Sequence, residues 1–310
     1  MHKKILLAVD DTQPSKMAVR YAVQMSKSVS DLQFVLLNVQ PMVSQFLKHD
    51  ARTSAAARKQ LEKVQNKHIQ FSQHLLEDYR REMESQGIHP DQIETRTQPR
   101  NLGYAKDIID VAQKKNYDAI VVGRRGLSGI AKLYAGSVTT DILEQSQVIP
   151  VWLVDGTAPA GDLLLAVDGS EASLRMIDHV SFMLSGAANA AITMLHITNS
   201  VNNYCEIDPD ESVAPELDKI NRRGDRACID QFYPHAIQKF EQAGLDAGRV
   251  HFEMVEGGRR IGKAIFDFAR DRKLQTLVVG RRGLAKSFFM GSVSRHLINN
   301  LADGALWIVP

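Results

Sequence analysis

The sequence predicts an α/β protein made of two tandem domains, each a five-stranded parallel sheet. Three observations lead there. Short apolar runs alternate with segments of helical spacing, the order of a βαβ protein. The heptad VVGRRGL occurs twice, at residues 121–127 and 278–284, each time at the end of an apolar run. The whole succession of patterns then recurs at a nearly constant offset: 158 residues from Asp10 to Asp168, 157 from Gly123 to Gly280 and 155 from Trp152 to Trp307. Self-similarity over such a length is a duplicated domain. The halves are expected at residues 1–156 and 161–310, divided by a small-residue, Pro/Gly-containing linker that runs from Asp155 to Gly161.

In chain order, Ile5–Val9 is the first strand and ends in Asp10-Asp11-Thr12. Met17, Ala18, Tyr21, Ala22 and Met25 then recur at helical spacing, and Phe34–Val39 is the second strand, closed by Pro41. A parallel sheet with a right-handed crossover follows from that unit. Residues 44–87 lack Pro and carry Gly only at Gly87, while Leu61, Val64, His68, Phe71, Leu75 and Tyr79 repeat every three or four positions. They read as one long amphipathic helix behind a looser start. Gln92–Thr97 is a polar strand, Ala105–Ala112 a helix, Ala119–Val122 the fourth strand and Val148–Val154 the fifth, with Pro150 inside it. In the second half Leu163–Val167, Ala191–Ile197, Val250–Val255, Leu277–Gly280 and Leu306–Val309 are the matching strands, with Ile261–Ala269 as the helix after the third. Residues 200–248, with Asp208-Pro209-Asp210-Glu211 and Pro215, read as an acidic, irregular loop.

The chain has 310 residues, 44% hydrophobic and 24% charged, an ordinary soluble composition for two domains. A formal charge of +2 makes no electrostatic case for nucleic acid or an acidic membrane. Two cysteines, Cys205 and Cys228, form neither a metal spacing nor a disulfide framework, and free thiols suit a reducing cytoplasm. The apolar run in MHKKILLAVDD stops at Asp10, too short for a signal peptide core, and no stretch approaches a membrane span. A cytoplasmic protein is expected.

The chemistry concentrates in the loop after the fourth strand. Gly123, Gly126, Gly136 and Ser137 have the spacing G-x2-G-x9-G-S, and Val138 begins a helical pattern. Glycines permit close backbone approach. The unpaired N–H groups of a helix start attract anions. By itself such a stretch equally describes a tight turn and a helix cap; its repetition favours a site. In an open parallel sheet, ligands bind beyond the carboxyl ends of strands where the strand order reverses, so Asp10 and Gly123 can face one crevice. A carboxylate there can bond a ribose hydroxyl or hold Mg²⁺; its other reading is a cap on the following helix. Arg124 and Arg125, repeated as Arg281 and Arg282, can meet phosphates or simply be exposed loop arginines. His196 ends the second strand of the second half, as a structural residue or a base contact. No nucleophile elbow, HExxH, Walker or GxGxxG motif is present, and no catalytic residues are assigned.

This arrangement resembles the universal stress protein family, whose nucleotide-binding members carry G-x2-G-x9-G-[ST] after the fourth of five strands. The resemblance implies the adenine-nucleotide α-hydrolase-like fold and, for the first half, a site for ATP or another adenine nucleotide, with Mg²⁺ as a candidate companion. Residue by residue it implies Asp10 by the nucleoside, Val39 at the base, and Gly123, Gly126, Gly136, Ser137 and Val138 around the phosphates. The second half matches at Asp168, Gly280, Gly283, Gly291 and Ser292, but its loop is two residues shorter and bulkier, with Phe288-Phe289-Met290. A second site there is weaker in expectation than the first. The family also implies pairing of fifth strands, here Val151-Trp152-Leu153 with Leu306-Trp307-Ile308, as an intramolecular pseudo-dimer. The function expected is that of a stress-response sensor or regulator that binds an adenine nucleotide. The alternatives are a nucleotide-free scaffold with a protein partner, and a slow metal-dependent ATPase.

Overall fold

β1 (Lys3–Ala8) is the central strand of the first half. The computed structural model of the chain describes residues 2–29, 31–124, 138–157, 161–187, 190–198, 215–256, 260–281 and 290–310. It divides into two compact units, Met1–Val23 with Asp31–Val151, and Gln24–Ser30 with Trp152–Pro310.

In the first unit the chain runs from β1 through α1 (Gln13–Ser28), which continues into the second unit's residues, to β2 (Leu32–Gln40). β1 pairs in parallel with β2 on one side and with β4 (Ala119–Gly123) on the other. β2 pairs in parallel with β3 (Ile93–Pro99). The strand order therefore reverses between β1 and β4, the place beyond whose carboxyl ends open parallel sheets bind ligands. Ile5, Leu6, Leu7, Ile120 and Val121 are fully buried, which is why these strands read as continuous apolar runs.

The long segment after β2 forms two helices, α2 (Gln45–Asp50) and α3 (Ala55–Ser85). The break has a local cause: the Ser54 side chain accepts from the Ala57 N–H at 3.3 Å and caps a new helix. The buried residues of α3, Ser72, Leu75, Leu76, Tyr79 and Met83, all lie in its carboxyl half. α4 (Tyr104–Lys114) follows a turn closed by the buried Asp107 carboxylate, which accepts from the N–H groups of Asn101 (2.8 Å) and Leu102 (3.1 Å). α5 spans Val138–Gln145 and β5 Val151–Asp155. β5 starts one residue after Pro150, which is not inside it as expected. Proline brings no ladder N–H, and the Pro150 carbonyl instead accepts from the Ile120 N–H at 2.9 Å.

The second unit repeats the plan with β6 (Leu163–Val167), α6 (Glu171–Leu184), β7 (Ile192–Thr198), α7 (Pro215–Gln242), β8 (Val250–Glu256), α8 (Ile261–Asp271), β9 (Thr276–Gly280), α9 (Ser292–Asn300) and β10 (Gly304–Val309). β6 pairs in parallel with β7 and β9, β7 with β8 and β9 with β10, so the order reverses again beside the first strand. Within the span 200–248, expected as an irregular loop, α7 corrects that expectation for Pro215–Gln242. Ile229, Phe232, Ala236 and Phe240 are buried at helical spacing. Pro215 stands at the first helical position, where its missing N–H costs nothing, and Pro234 is carried inside the helix. The acidic run Asp208–Glu211 lies outside the described residues, as does Cys205. Also within the second unit, Trp152 stacks on Trp307 with ring centroids 3.9 Å apart and planes at 3°. His179 of α6 stands edge-on to both indoles and accepts from Trp152 Nε1 at 3.3 Å.

Candidate functional site

Asp10 follows β1 and is half-buried. Its carboxylate accepts from the Thr12 and Ser15 hydroxyls, the latter at 2.6 Å, and its N–H donates to Ser15 Oγ at 3.1 Å. The Asp10 loop is thereby tied to the first turn of α1 through the Ser15 hydroxyl. The same turn meets the glycine loop. A Cβ on Gly123 would lie 2.2 Å from the Pro14 carbonyl oxygen and 2.3 Å from its carbon. Real Cβ atoms essentially never come that close, so only glycine lets β4 end against the start of α1. Pro14 touches Gly123 and Ser15 holds Asp10; this single turn brings the two predicted residues into one neighbourhood at the strand reversal.

Val39 is buried near the carboxyl end of β2, opposite Gln98 of β3. Val138 is the half-buried first residue of α5, whose first-turn N–H groups have no intrahelical acceptors. Thr139, one residue on, donates from Oγ1 to the Gly123 carbonyl at 3.1 Å and ties the helix start to the end of β4. Gly126, Gly136, Ser137 and Arg125 lie outside the described residues. Arg124 is half-buried.

The second unit reproduces these ties. Ser173 Oγ donates to the Asp168 carboxylate at 2.8 Å and accepts from the Asp168 N–H at 3.0 Å. Ser294 Oγ donates to the Gly280 carbonyl at 2.9 Å. Gly291 is the N-cap of α9, which starts at Ser292. Gly283 and Arg282 lie outside the described residues. Arg281 is not an exposed loop arginine. It is 3% exposed. Its N–H donates to the Val309 carbonyl at 2.6 Å and its own carbonyl accepts from the Gly291 N–H at 3.1 Å. His196 is buried with Nδ1 2.9 Å from the Val167 carbonyl, so that nitrogen donates.

Several residues went unnoticed in the sequence. Ser15, Ser173, Thr139 and Ser294 are hydroxyl residues at equivalent places in both halves, and aligning the halves position by position would have found them. Asn38, one residue before Val39, donates from Nδ2 to the Val9 carbonyl at 2.8 Å, as His196 does to Val167. Ser72 donates to Asn38 Oδ1, and Tyr79 Oη donates to the Asp10 carbonyl at 2.9 Å. Burial, with Asp10, Asp11 and Glu82 nearby and Arg20 opposing, raises the Tyr79 phenol well above its ordinary range, so it stays a donor. Among the described residues no group of three His, Cys, Asp or Glu could hold a metal by itself, and no helix is long and apolar enough to cross a membrane. A divalent cation here would need ligand phosphates to complete its shell.

The sequence profile described as the universal stress protein family matches this chain twice, over residues 1–155 and 161–309. Among solved structures, a universal stress protein from Archaeoglobus fulgidus is similar over 99% of this chain and 97% of its own, at 18% identity and a TM-score of 0.63. A functionally unknown protein, PA1789 of Pseudomonas aeruginosa PAO1, is similar over 99% and 92% at 15% identity and a TM-score of 0.61. A putative universal stress protein from P. aeruginosa UCBPP-PA14 is similar over 99% and 93%, at 15% identity and a TM-score of 0.60. At these identities the likeness is one of fold. No curated protein matches the chain.

Proposed function

This chain belongs to the universal stress protein family, and we propose that its first half binds an adenine nucleotide, ATP foremost, as a stress-response sensor or regulator in the cytoplasm. The observation that carries the reading is the turn Pro14-Ser15. It holds the Asp10 loop by hydrogen bonds and meets Gly123 at a distance only glycine permits, beside the strand reversal. Gly123, Gly126, Gly136 and a helix that starts at Val138 suit phosphates, and a carboxylate after β1 suits a ribose or a phosphate-bound Mg²⁺. The site residues of this proposal are Asp10, Val39, Gly123, Gly126, Gly136, Ser137 and Val138. Binding, not fast turnover, is its function; a slow ATPase would need a base for the attacking water, and none is assigned.

The second half receives the weaker reading. Asp168, Gly280, Gly291 and Ser292 keep the plan, but the loop between Gly283 and Gly291 is two residues shorter than its counterpart. That difference favours a nucleotide-free interaction module on this side. The pseudo-dimer expected from the repeated fifth strands remains part of the proposal. The deciding experiment denatures freshly purified protein and counts the adenine nucleotides released per chain by ion-exchange chromatography. A ligand bound tighter than about micromolar, roughly 8 kcal/mol, can survive purification. One per chain supports a single working site and two support both. An empty protein that also shows no thermal shift with millimolar ATP and Mg²⁺ would overturn nucleotide binding in favour of the scaffold.

A further inference from the structure

Ser72 and Tyr79 lie seven residues apart on α3, two turns, and so share one face. Both are buried. Tyr79 donates to the Asp10 carbonyl at 2.9 Å, while Ser72 donates to Asn38, which donates to the Val9 carbonyl at 2.8 Å. The Val9 carbonyl belongs to the peptide before Asp10 and the Asp10 carbonyl to the peptide after it. Both peptide planes that flank the Asp10 Cα are thereby fixed, and with them the direction of its Cα–Cβ bond. A backbone held this way aims a carboxylate without touching it.

The second unit offers a comparison. α3 and α7 are followed by equivalent positive-φ glycines, Gly87 (φ 94°) and Gly244 (φ 80°), and then by Ile88 and Leu245, with no gap. That register pairs Tyr79 with Ala236 and Ser72 with Ile229, both buried. His196 takes the place of Asn38 on the Val167 carbonyl. Alanine and isoleucine carry no hydroxyl, so α7 cannot supply the two bonds that α3 supplies.

We propose that Tyr79, backed by Ser72 through Asn38, is a positioning residue that aims the Asp10 carboxylate at the ligand of the first-half site, and that α7 carries no counterpart of it. The inference rests on the nucleotide reading above. It makes α3, outside the glycine motif and the strand ends, part of what gives the first site its affinity.

Tyr79→Phe removes one hydroxyl and keeps the ring. Titration calorimetry with ATP and Mg²⁺ should show binding weakened about fivefold, the size of one net hydrogen bond. Amide hydrogen exchange without nucleotide should quicken at Asp10–Gln13 and stay unchanged along Ala119–Gly123 on β4. A purely structural role would quicken both segments together. Ser72→Ala, which acts one bond further away, should give the same exchange pattern with about a twofold loss of affinity, and it stands in if Tyr79→Phe fails to fold. Unchanged affinity in a variant of a protein that binds ATP, or exchange rising equally in both segments, overturns the positioning role alone. A wild-type protein that takes up no ATP overturns the nucleotide reading and this inference with it.

Discussion

Acid should loosen the second unit through one histidine. His179 is pressed edge-on against the stacked Trp152 and Trp307, and its Nε2 accepts from Trp152 Nε1 at 3.3 Å. Burial lowers its pKa from 6.5 to about 4. A folded-state pKa below the unfolded value means that the unfolded chain binds the proton first. The stability contributed is whole above pH 6.5 and drains away as the pH falls toward 4. Full expression of that shift is about 3 kcal/mol, of which about 2 is gone by pH 5. These are ceilings, because the residue keeps some solvent contact and an imidazolium near indole faces regains about 1 kcal/mol of cation–π attraction. Urea denaturation of wild type and His179→Phe at a series of pH values isolates the effect, since other titrating groups are common to both. The readout is favourable: the chain's two tryptophans are the two in this stack, so selectively excited tryptophan fluorescence reports on it alone. The stability difference between the two proteins should shrink by one to two kcal/mol between pH 7 and pH 5. Parallel profiles would refute the assignment of a neutral, half-buried acceptor at position 179.

Gly123→Ala places a Cβ 2.2 Å from the Pro14 carbonyl oxygen, both on backbone that cannot swing aside. A loss of about 1–3 kcal/mol in thermal or chemical denaturation is expected, together with weaker ATP binding as the start of α1 is displaced; an unperturbed protein would deny the contact. Ser15→Ala and Ser173→Ala each remove a hydroxyl that both donates to an aspartate and accepts from its N–H. Each should cost about 1–3 kcal/mol of stability by denaturation, while only Ser15→Ala lowers ATP affinity; equal affinity losses would show that the halves bind alike. Gly136→Val should abolish nucleotide uptake by blocking backbone approach, and Gly291→Val should change it little; equal losses by calorimetry would refute the asymmetry between the two sites.

Strand identity was legible in the sequence because parallel strands buried on both faces are apolar throughout, and because each was written twice. Ile5–Val9 and Leu163–Val167 could be recognised from each other as much as from their own composition. The errors fall where a rule about single residues met tertiary packing. Two prolines and an acidic run argue for a loop over 200–248, yet from Pro215 to Gln242 the chain is helical, because Ile229, Phe232, Ala236 and Phe240 gain more from burial than Pro234 costs the helix. Pro150 was read inside a strand because its neighbours are apolar, whereas its missing N–H confines it to the position before β5. The hydroxyl bonds to Asp10 could be anticipated from a Thr and a Ser within five residues. The reach of Tyr79 could not, since sequence spacing places it on a helix face and says nothing of which loop that face meets 69 residues away.

The two kinds of tie around the first site carry different information. Ser15 and Thr139 have working counterparts in Ser173 and Ser294, on the same acceptors in the second unit. Ties present in both halves, whatever each half binds, belong to the shared problem of joining strand ends to helix starts at a reversal. They make a crevice possible in both units and cannot explain a difference between them. The α3 hydroxyls are the opposite case. The helices are matched without a gap and these positions are buried in both, but the hydroxyls are present only in α3, Tyr79 standing against Ala236 and Ser72 against Ile229. A buried tyrosine hydroxyl that reaches a loop carbonyl contributes only about 1 kcal/mol net to stability, which a well-packed alanine can offset. Its separate effect is to hold one carboxylate in one direction. Hydroxyls aimed at the Asp10 loop on one side and absent from α7 on the other are what is expected if the halves diverged in what Asp10 and Asp168 must do, and the Tyr79→Phe experiment measures the contribution of one of them.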